Sequence, residues 1–572
     1  MAVVFDPETW QLTRLSTWVI LSGSSATRCR DGAGTTEAQA LLRALPRELE
    51  HPMANPFDVA GGHSTTGDTS SRLRPNAVGV LGILFFVLSA QAPLTGIAGA
   101  SPLTVAMGNG AGAPGAYLLV GLMIIVFAIG FIAMSGYVTD AGAFYAYVGR
   151  GLGRPAATGS ALTALWSYSA VQACMYGLYG AVVSGLLATY GQVSIPWWAC
   201  AVVTMAVVQV VAALGIDTGA RVLAVLVGLE MSILIAFAFG VLFRGGGPEG
   251  LAPAAAFSPG SVFSGAPGVA VMFAVASMFG FESTAIYAEE AKDPKRTVPR
   301  ATFLSVILIA VFFAFVTWML VAYYGPTNAP GAAGVALQSG DSTSFLTAAV
   351  GDVLGSWTGD VVGFLLASSL LAGILAFHNA INRYLYSLGH HGSLPLALTR
   401  VNRRGAPVTA GLVQTAVALV LVLPFAVLGL DPVLTLFSWL SGVSVLALML
   451  LYVLTSVSVV VFFRRTPASD AGTWRTLVAP AVAALLTFGT GLLVVANFTS
   501  LIGGQADVAV WLMLTVPVVF AIGVALDLAT RRRRRRWRPG EDIPDVPANP
   551  APSDDRMAPV PPAGTSRRTD QS

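Results

Sequence analysis

The chain has 572 residues, of which 55% are hydrophobic and 11% charged, with a formal net charge of +3 and a mean hydropathy of +0.71. Soluble globular domains carry about 25% charged residues, so this composition indicates an integral membrane protein and excludes a soluble one. The three cysteines are scattered and show neither a disulfide framework nor metal-ligand spacing. We therefore predict no metal site and no cofactor.

The two ends of the chain differ from the apolar middle. Residues 1–75 are predicted to form a disordered extension, because much of this stretch is rich in Gly, Ser, Thr and Arg. Met53 lies close to the first apolar segment and is an alternative start. Residues 76–530 are predicted to be a transmembrane domain, and residues 531–572 a basic and then disordered cytoplasmic tail. The Arg-rich start of that tail is expected to attract anionic membrane lipid rather than nucleic acid.

Twelve apolar segments are long enough to cross a bilayer. A spanning helix needs about 20 apolar residues, because about 30 Å of hydrocarbon is covered at about 1.5 Å per residue. The predicted spans, numbered 1 to 12, are residues 80–107, 115–136, 157–187, 197–214, 219–243, 266–291, 301–324, 360–388, 408–429, 432–462, 476–498 and 507–529. The chain is thus predicted to be an all-α integral membrane protein with about twelve transmembrane helices.

Basic residues set the orientation of these spans. Arg and Lys cluster before span 1 and after spans 2, 6, 8, 10 and 12, whereas the intervening loops carry Asp and, apart from Arg244, almost no Arg or Lys. Cytoplasmic loops are enriched in Arg and Lys. We therefore predict a multi-pass protein of the cell (plasma) membrane with both termini in the cytoplasm.

Two of the spans are interrupted by residues that are unusual in hydrocarbon. Span 1 contains TGIAGASP at residues 95–102, and span 6 contains MFGFES at residues 278–283. A broken helix leaves backbone groups unpaired, which is tolerated in a membrane where protein encloses them or a cavity is present. The two spans run in opposite directions, five helices apart, as in an inverted-topology repeat. Segments 140–153 and 342–355, after spans 2 and 7, are a weaker echo of that repeat.

The paired breaks predict a binding site for a zwitterion. By helix rise, both breaks lie near the bilayer midplane. The start of the outer half of span 1 would offer N–H groups and partial positive charge to a carboxylate, and the broken end in span 6 would offer carbonyl groups to an ammonium. The alternative is that the small residues in these segments only let helices pack closely.

Four stretches resemble the amino acid–polyamine–organocation (APC) superfamily of permeases. The most specific is GFESTAIYAEEAKDPKRTVPRA at 280–301; the others are PLTGIAGASPL at 93–103, DAGAFYAYVGRGLGR at 140–154 and NRYLYSLGHHGSLP at 382–395. The resemblance implies a five-plus-five inverted repeat (LeuT-type fold) with two extra C-terminal helices. The substrate-binding residues that it implies are Thr95, Gly96, Ile97, Ala98, Gly99, Ser277, Met278, Phe279, Gly280 and Phe281.

Two carboxylates lie inside the predicted hydrocarbon, Glu230 in span 5 and Glu282 in span 6. The stretch GIDTGARVLAVLVGLE, which ends at Glu230, is similar to a permease motif that has a lysine in that place, and the family implicates this lysine in proton coupling. Because acidic residues inside membranes usually serve function, we predict proton-coupling roles for Glu230 and Glu282. The alternatives are that neighbouring hydroxyls satisfy Glu230, that it accepts a cation, or that Glu282 orders its break through backbone N–H groups.

The sequence therefore predicts a secondary active transporter of an amino acid or related small amine, working by alternating access as a symporter driven by the proton gradient. An amino acid or amine exchanger and a polyamine transporter are alternatives, and a membrane sensor of the same fold is a non-transport alternative. Arginine is disfavoured as substrate, because Ala276 stands where arginine/agmatine exchangers of the family have a stacking tryptophan. An enzyme is not expected, since no HExxH or GxSxG pattern is present. The oligomeric state stays open.

Overall fold

The computed structural model describes residues 79–135, 137–138, 144–214, 220–282, 284, 293–390, 394–402, 404–466 and 472–533. The predicted extension at residues 1–75 and residues 534–572 of the predicted tail lie outside this part of the chain. The last helix, Ala506–Arg533, continues past the predicted boundary at residue 530. The first three arginines of the basic run therefore extend the helix of span 12 beyond its apolar part.

Within the described residues, which contain no strand, ten helices are long and apolar enough to cross a membrane. They coincide with predicted spans 2 to 5 and 7 to 12. Their bounds are Gly110–Ser135, Arg154–Tyr190, Trp197–Leu214, Val225–Phe243, Arg296–Tyr324, Ser356–His390, Val408–Val427, Pro432–Arg465, Trp474–Leu501 and Ala506–Ala529.

The two remaining spans are interrupted, as the sequence predicts. Span 1 begins with Val80–Gln91, a helix of 12 residues, and span 6 begins with Pro267–Ser277, a helix of 11 residues. At about 1.5 Å per residue, each covers less than 20 Å of the roughly 30 Å of hydrocarbon. Each first half must therefore end inside the membrane. The second half of span 6 lies outside the described residues.

The break in span 1 lies three residues earlier than predicted. Ala92 has a left-handed backbone (φ 43°, ψ 71°), and Pro93 opens the next helical turn. The prediction that the helix is interrupted at residues 95–102 is wrong in position, because Gly96–Ala100 is wound as a π-helix. Proline has no N–H group and disfavours helical geometry in the residue before it. Pro93, rather than the glycines that follow, therefore places the break.

The two glycines of this segment serve close packing instead. A Cβ atom added to Gly96 would lie 2.5 Å from Cε1 of Phe313 in span 7, and one added to Gly99 would lie 2.6 Å from Cδ2 of Leu178 in span 3. Atoms in contact are normally 3.5–4 Å apart. The alternative that small residues let helices approach each other is therefore correct for Gly96 and Gly99.

The predicted echo between the two halves is visible as two short helices. Phe144–Leu152 precedes span 3, and Ser344–Leu354 precedes span 8. Each is followed by a glycine with positive φ, 89° at Gly153 and 114° at Gly355. Because such backbone angles favour glycine, the same turn chemistry separates the short helix from the long one in both halves.

Two ion pairs hold helices at the edges of the bundle. Nε of Arg154, at the start of span 3, lies 2.9 Å from Oδ1 of Asp527 in span 12, whose side chain is 2% exposed. Arg244, the basic exception among the predicted outer loops, lies 3.4 Å from Asp352 of the helix Ser344–Leu354, and both side chains are more than half exposed. The carboxylate of the first pair is therefore shielded from water, whereas both side chains of the second pair are exposed.

Candidate functional site

The two helix breaks lie against each other. A Cβ atom added to Gly96 would be 3.2 Å from Cβ of Ser277. Nearby, Nε2 of Gln91, the last residue of the first helix of span 1, donates a long hydrogen bond of 3.5 Å to the carbonyl oxygen of Met278. The prediction that two breaks of opposite halves meet is confirmed by these contacts.

In span 6 the helix ends where the sequence predicts. Met278 leaves helical geometry (φ −100°, ψ 11°), and Gly280 has φ 105°, an angle that L side chains rarely adopt. The N–H of Gly280 donates to Oε2 of Glu282 at 3.1 Å, and the backbone N–H of Glu282 is a further donor to that carboxylate. Glu282 therefore satisfies donors that the break exposes.

Aromatic rings enclose the span 6 break on two sides. The ring of Phe279 lies 5.8 Å from that of Tyr168 in span 3, and the ring of Phe281 lies 5.9 Å from that of Tyr452 in span 10. Both tyrosines also interact electrostatically with Glu282. The carboxylate is thus buried among a tyrosine pair and its own backbone.

The structure brings residues 95–99 and 277–281 together, and most of these predicted site residues are buried. Thr95 and Gly280 are the two that are partly exposed. Two polar atoms beside them, Oγ1 of Thr95 and Oε1 of Gln91, are buried without a hydrogen-bond partner. Because buried polar atoms are normally paired, this is where a polar ligand group or water would be stabilised.

Glu230 lies at the other break, that of span 1. Its side chain is fully buried, and Oγ of Ser369 in span 8 donates to its Oε2 at 3.1 Å. The backbone N–H of Leu94, in the first turn after the break, is a second donor to the carboxylate. The geometry of this second contact is weaker than that of the first, and Oε1 of Glu230 has no well-formed hydrogen bond. The alternative that neighbouring hydroxyls satisfy Glu230 therefore holds for Oε2, which accepts from Ser369, but not for Oε1.

Several residues of this region escape sequence reasoning. Pro93 and Gln91 carried a signal, since a glutamine and a proline close together end an otherwise apolar run. Ser369 lies in an ordinary apolar stretch, and Tyr168 and Tyr452 resemble any aromatic residue of a membrane helix. Among the described residues, no group of three His, Cys, Asp or Glu side chains could hold a metal ion.

Comparisons with known proteins agree with this architecture. The family model "Amino acid permease" matches residues 82–539. The branched-chain amino acid permease BcaP of Lactococcus lactis is 31% identical over 169 residues, which are 28% of this chain and 32% of that protein. The probable threonine/serine transporter YbxG of Bacillus subtilis is 25% identical over 299 residues, 50% of this chain and 57% of that protein. The matched region thus spans from about a third to somewhat more than half of these relatives.

A solved structure gives the fold. The structure of MhsT in complex with L-phenylalanine matches with a TM-score of 0.51 at 18% sequence identity, over 74% of this chain and 100% of that one. This likeness, together with the two interrupted helices, confirms the predicted LeuT-type fold.

Proposed function

Because the chain belongs to the amino acid permease family, we propose that it is a secondary active transporter that moves a neutral amino acid across the cell membrane by alternating access, driven by the proton gradient. The observation that carries this proposal is the meeting of two broken helices deep in a multi-pass membrane protein. In this arrangement one group of helices rocks against the other around the site. Both termini are proposed to face the cytoplasm.

Unpaired polar groups at the breaks support binding of an amino acid by its backbone. The buried Oε1 of Gln91 and Oγ1 of Thr95 lack partners, and an ammonium group supplies donors to both. The N–H of Leu94 is a donor to Glu230, and the partial positive charge of the helix start after Pro93 suits a substrate carboxylate. A zwitterion offers both charges within a few ångströms, and this is the common part of all amino acids.

A neutral side chain fits the surroundings better than a charged one. Met278, Phe279 and Phe281 are apolar and buried, and the carboxylate of Glu282 is occupied by the backbone of its own break. The relatives named above are described as acting on branched-chain amino acids and on threonine or serine. A cationic side chain would need an acidic partner beside Met278, Phe279 and Phe281, and the carboxylate described there, that of Glu282, accepts from its own backbone.

The test is uptake into proteoliposomes. All twenty amino acids and the common polyamines are assayed with a proton gradient, with a sodium gradient and with a protonophore. We expect one or more neutral amino acids to accumulate under the proton gradient and to lose that accumulation with the protonophore. Uptake that is indifferent to the proton gradient, or accumulation of polyamines alone, would contradict the proposal.

Glu230→Gln should separate coupling from binding. We expect this variant to lose gradient-driven accumulation while it still exchanges internal for external substrate, because the side chains proposed to bind substrate, those of Gln91 and Thr95, are retained. The matched control is Glu249→Gln, which neutralises an exposed outer-loop glutamate that bonds Thr327 and should accumulate substrate normally. Undiminished accumulation by Glu230→Gln would remove this residue from coupling.

A further inference from the structure

A groove lies at the end of span 4 that is proposed to face the cytoplasm. Three apolar residues near the end of span 4 and two polar residues of the loop between spans 8 and 9 line it: Val210, Ala213, Leu214, Asn402 and Arg404. Its volume is about 410 Å³, within the range of about 300–1,000 Å³ that ligand sites occupy in proteins. We call it the inner groove, and it is separate from the two helix breaks.

The loop that forms one wall of the inner groove is a tight turn. The N–H of Asn402 donates to the carbonyl oxygen of Ala406, and the N–H of Gly405 to that of Asn402, each at 3.0 Å. Oδ1 of Asn402 accepts from the N–H groups of Arg404 at 2.9 Å and of Ala406 at 3.0 Å. Gly405 has φ 78°, an angle that favours glycine. The backbone that carries Arg404 is thus held by hydrogen bonds within the turn.

Two side chains of this turn bind the end of span 4. Nδ2 of Asn402 donates to the carbonyl oxygen of Ala213 at 2.6 Å, and Nη1 of Arg404 donates to that of Leu214 at 3.2 Å. The last carbonyls of a helix lack intrahelical donors and together carry about half a negative charge. Because the guanidinium carries a full positive charge, the helix end and Arg404 together still attract an anion.

Arg404 lies where the hydrocarbon ends. Trp197–Leu214 is a helix of 18 residues, which is about 27 Å long and nearly covers the roughly 30 Å of hydrocarbon. The carbonyl of its last residue, Leu214, accepts from the guanidinium. The side chains of Val210 and Leu214 are exposed, as is usual where helices face lipid. The inner groove therefore places a cation at headgroup depth beside an apolar surface at acyl-chain depth.

The loop beside the inner groove carries charge of one sign. Residues 361–430, which include this loop, contain four Arg and no Asp, Glu or Lys. A guanidinium has five N–H donors in a planar fork that matches a phosphate group. Among the described residues, one of these donors of Arg404 is used, by the carbonyl of Leu214. The other donors are available to an anion.

An anionic phospholipid fits the inner groove better than other occupants. Inorganic phosphate would bind the guanidinium but would leave the apolar wall without a partner. A zwitterionic phospholipid carries its own cation beside the phosphate, so its net attraction to Arg404 is weaker. Basic pockets at the cytoplasmic ends of membrane helices bind acidic lipid headgroups, because phosphate and hydrocarbon meet at that depth.

We propose that the inner groove is a binding site for an anionic phospholipid, whose phosphate is bound by Arg404 and whose acyl chain lies along Val210 and Leu214. The inference goes beyond the proposed function and needs neither a particular substrate nor proton coupling. Asn402 is a positioning residue, since it holds the turn that carries Arg404 and fixes that turn to span 4. Binding of the lipid to the folded chain stabilises it by mass action.

The experiment is photocrosslinking of the full chain in phosphatidylcholine nanodiscs that contain a small fraction of a lipid probe. The probe is phosphatidylglycerol with a diazirine in one acyl chain, and phosphatidylcholine with the same chain is its matched counterpart. Labelling of residues 203–214 of span 4 is followed by mass spectrometry as the probe is titrated. In wild type we expect half-maximal labelling at a several-fold lower concentration of the phosphatidylglycerol probe than of the phosphatidylcholine probe.

Variants of Arg404 test the phosphate contact. Arg404→Gln should weaken labelling by the phosphatidylglycerol probe roughly fivefold in apparent affinity, the factor that one basic residue at a membrane surface contributes to binding of anionic lipid. Arg404→Lys keeps the charge and should keep most of the labelling. The matched control is Arg475→Gln, which removes an exposed arginine at the start of span 11 and should label as wild type. Thermal unfolding in phosphatidylcholine alone verifies that each variant is folded; if Arg404→Gln is not, the ratio of the two probes in wild type decides.

Several results would overturn the lipid site. Equal labelling of wild type by the two probes would show a groove that accepts any lipid, and full labelling of folded Arg404→Gln would place the phosphate elsewhere. Displacement of the probe by excess inorganic phosphate would indicate a site for a soluble anion, and crosslinks between two copies of the chain at residues 203–214 instead of lipid labelling would indicate a protein interface. Asp217 is the acidic residue closest to Leu214 in sequence. Asp217→Asn should leave labelling unchanged or raise it, and a loss would contradict the role of charge.

Discussion

Gly96→Ala tests the close packing of span 1 against span 7 beside the two breaks most directly. The new methyl group would lie 2.5 Å and 2.6 Å from Cε1 and Cζ of Phe313, and 3.2 Å from Cβ of Ser277. Phe313 is fully buried and stacks on Tyr117 with ring centroids 5.2 Å apart. The ring therefore has little freedom to yield, and the methyl group must push spans 1, 6 and 7 apart.

The magnitude follows from overpacking. Forcing extra volume into a well-packed core costs typically about 1–3 kcal/mol, which is roughly a 5- to 150-fold change in an equilibrium constant. Shortening the neighbour with Phe313→Leu removes the two ring atoms that would clash. The double variant should therefore be more stable than the sum of the single effects, by a coupling free energy of about 1–3 kcal/mol.

The assay is the free energy of unfolding in mixed micelles, measured for wild type, both single variants and the double variant, with substrate affinity measured alongside. Gly489→Ala in span 11 is the matched control, because a Cβ atom there meets nothing within 4 Å, and it should be neutral. If Gly96→Ala is as stable as this control, or if the single effects add within about 0.5 kcal/mol, the close approach of Gly96 to Phe313 is not as described.

Three further variants probe the same region and the edges of the bundle. Gly280→Ala should weaken substrate binding in equilibrium titrations. Its control is Gly504→Ala, which places an alanine at a similar positive φ in a loop with no neighbour within 4 Å and should lower only the free energy of unfolding. Glu282→Leu should lower the free energy of unfolding by about 1–3 kcal/mol, since it removes the carboxylate that accepts a hydrogen bond from the N–H of Gly280; Glu282→Gln, which retains an acceptor oxygen, should lose much less. Arg154→Ala removes a cation from a carboxylate that is 2% exposed and should cost more than about 1 kcal/mol in the free energy of unfolding, while Arg244→Ala breaks an exposed pair and should cost no more than about 1 kcal/mol.

The positions of the spans and of one break could be predicted from sequence because they depend on local chemistry. Hydrocarbon length fixes how many apolar residues a span needs, and ten predicted spans coincide with helices. In span 6, a glycine and a carboxylate two residues apart predict the break. The N–H of Gly280 donates a hydrogen bond to the carboxylate of Glu282 at that place.

The break in span 1 was misplaced because glycine has two uses that look identical in a sequence. Gly96 and Gly99 lie in the interruption that the sequence predicts at residues 95–102, yet they give room to neighbouring side chains, and Pro93 ends the helix instead. The partner of Glu230 could not be predicted either. Ser369 is 139 residues away, and nothing in its own stretch distinguishes it from the serine beside it.

Glu230 and Glu282 each accept hydrogen bonds at a helix break, but they differ in their capacity to couple a proton to a movement of the helices. Glu282 satisfies an N–H of its own break, two residues away in the same chain segment, so it moves with that break whenever span 6 moves. Glu230 reaches a break in a different helix, so any displacement of span 1 relative to spans 5 and 8 stretches its contact. A ligand shifts a conformational equilibrium only through different interaction energies in the two states. A proton on Glu230 meets that condition, whereas a proton on Glu282 changes a contact that both states retain. We therefore expect Glu282→Gln to keep proton-driven accumulation and Glu230→Gln to lose it, and the opposite result in uptake assays would reverse the assignment.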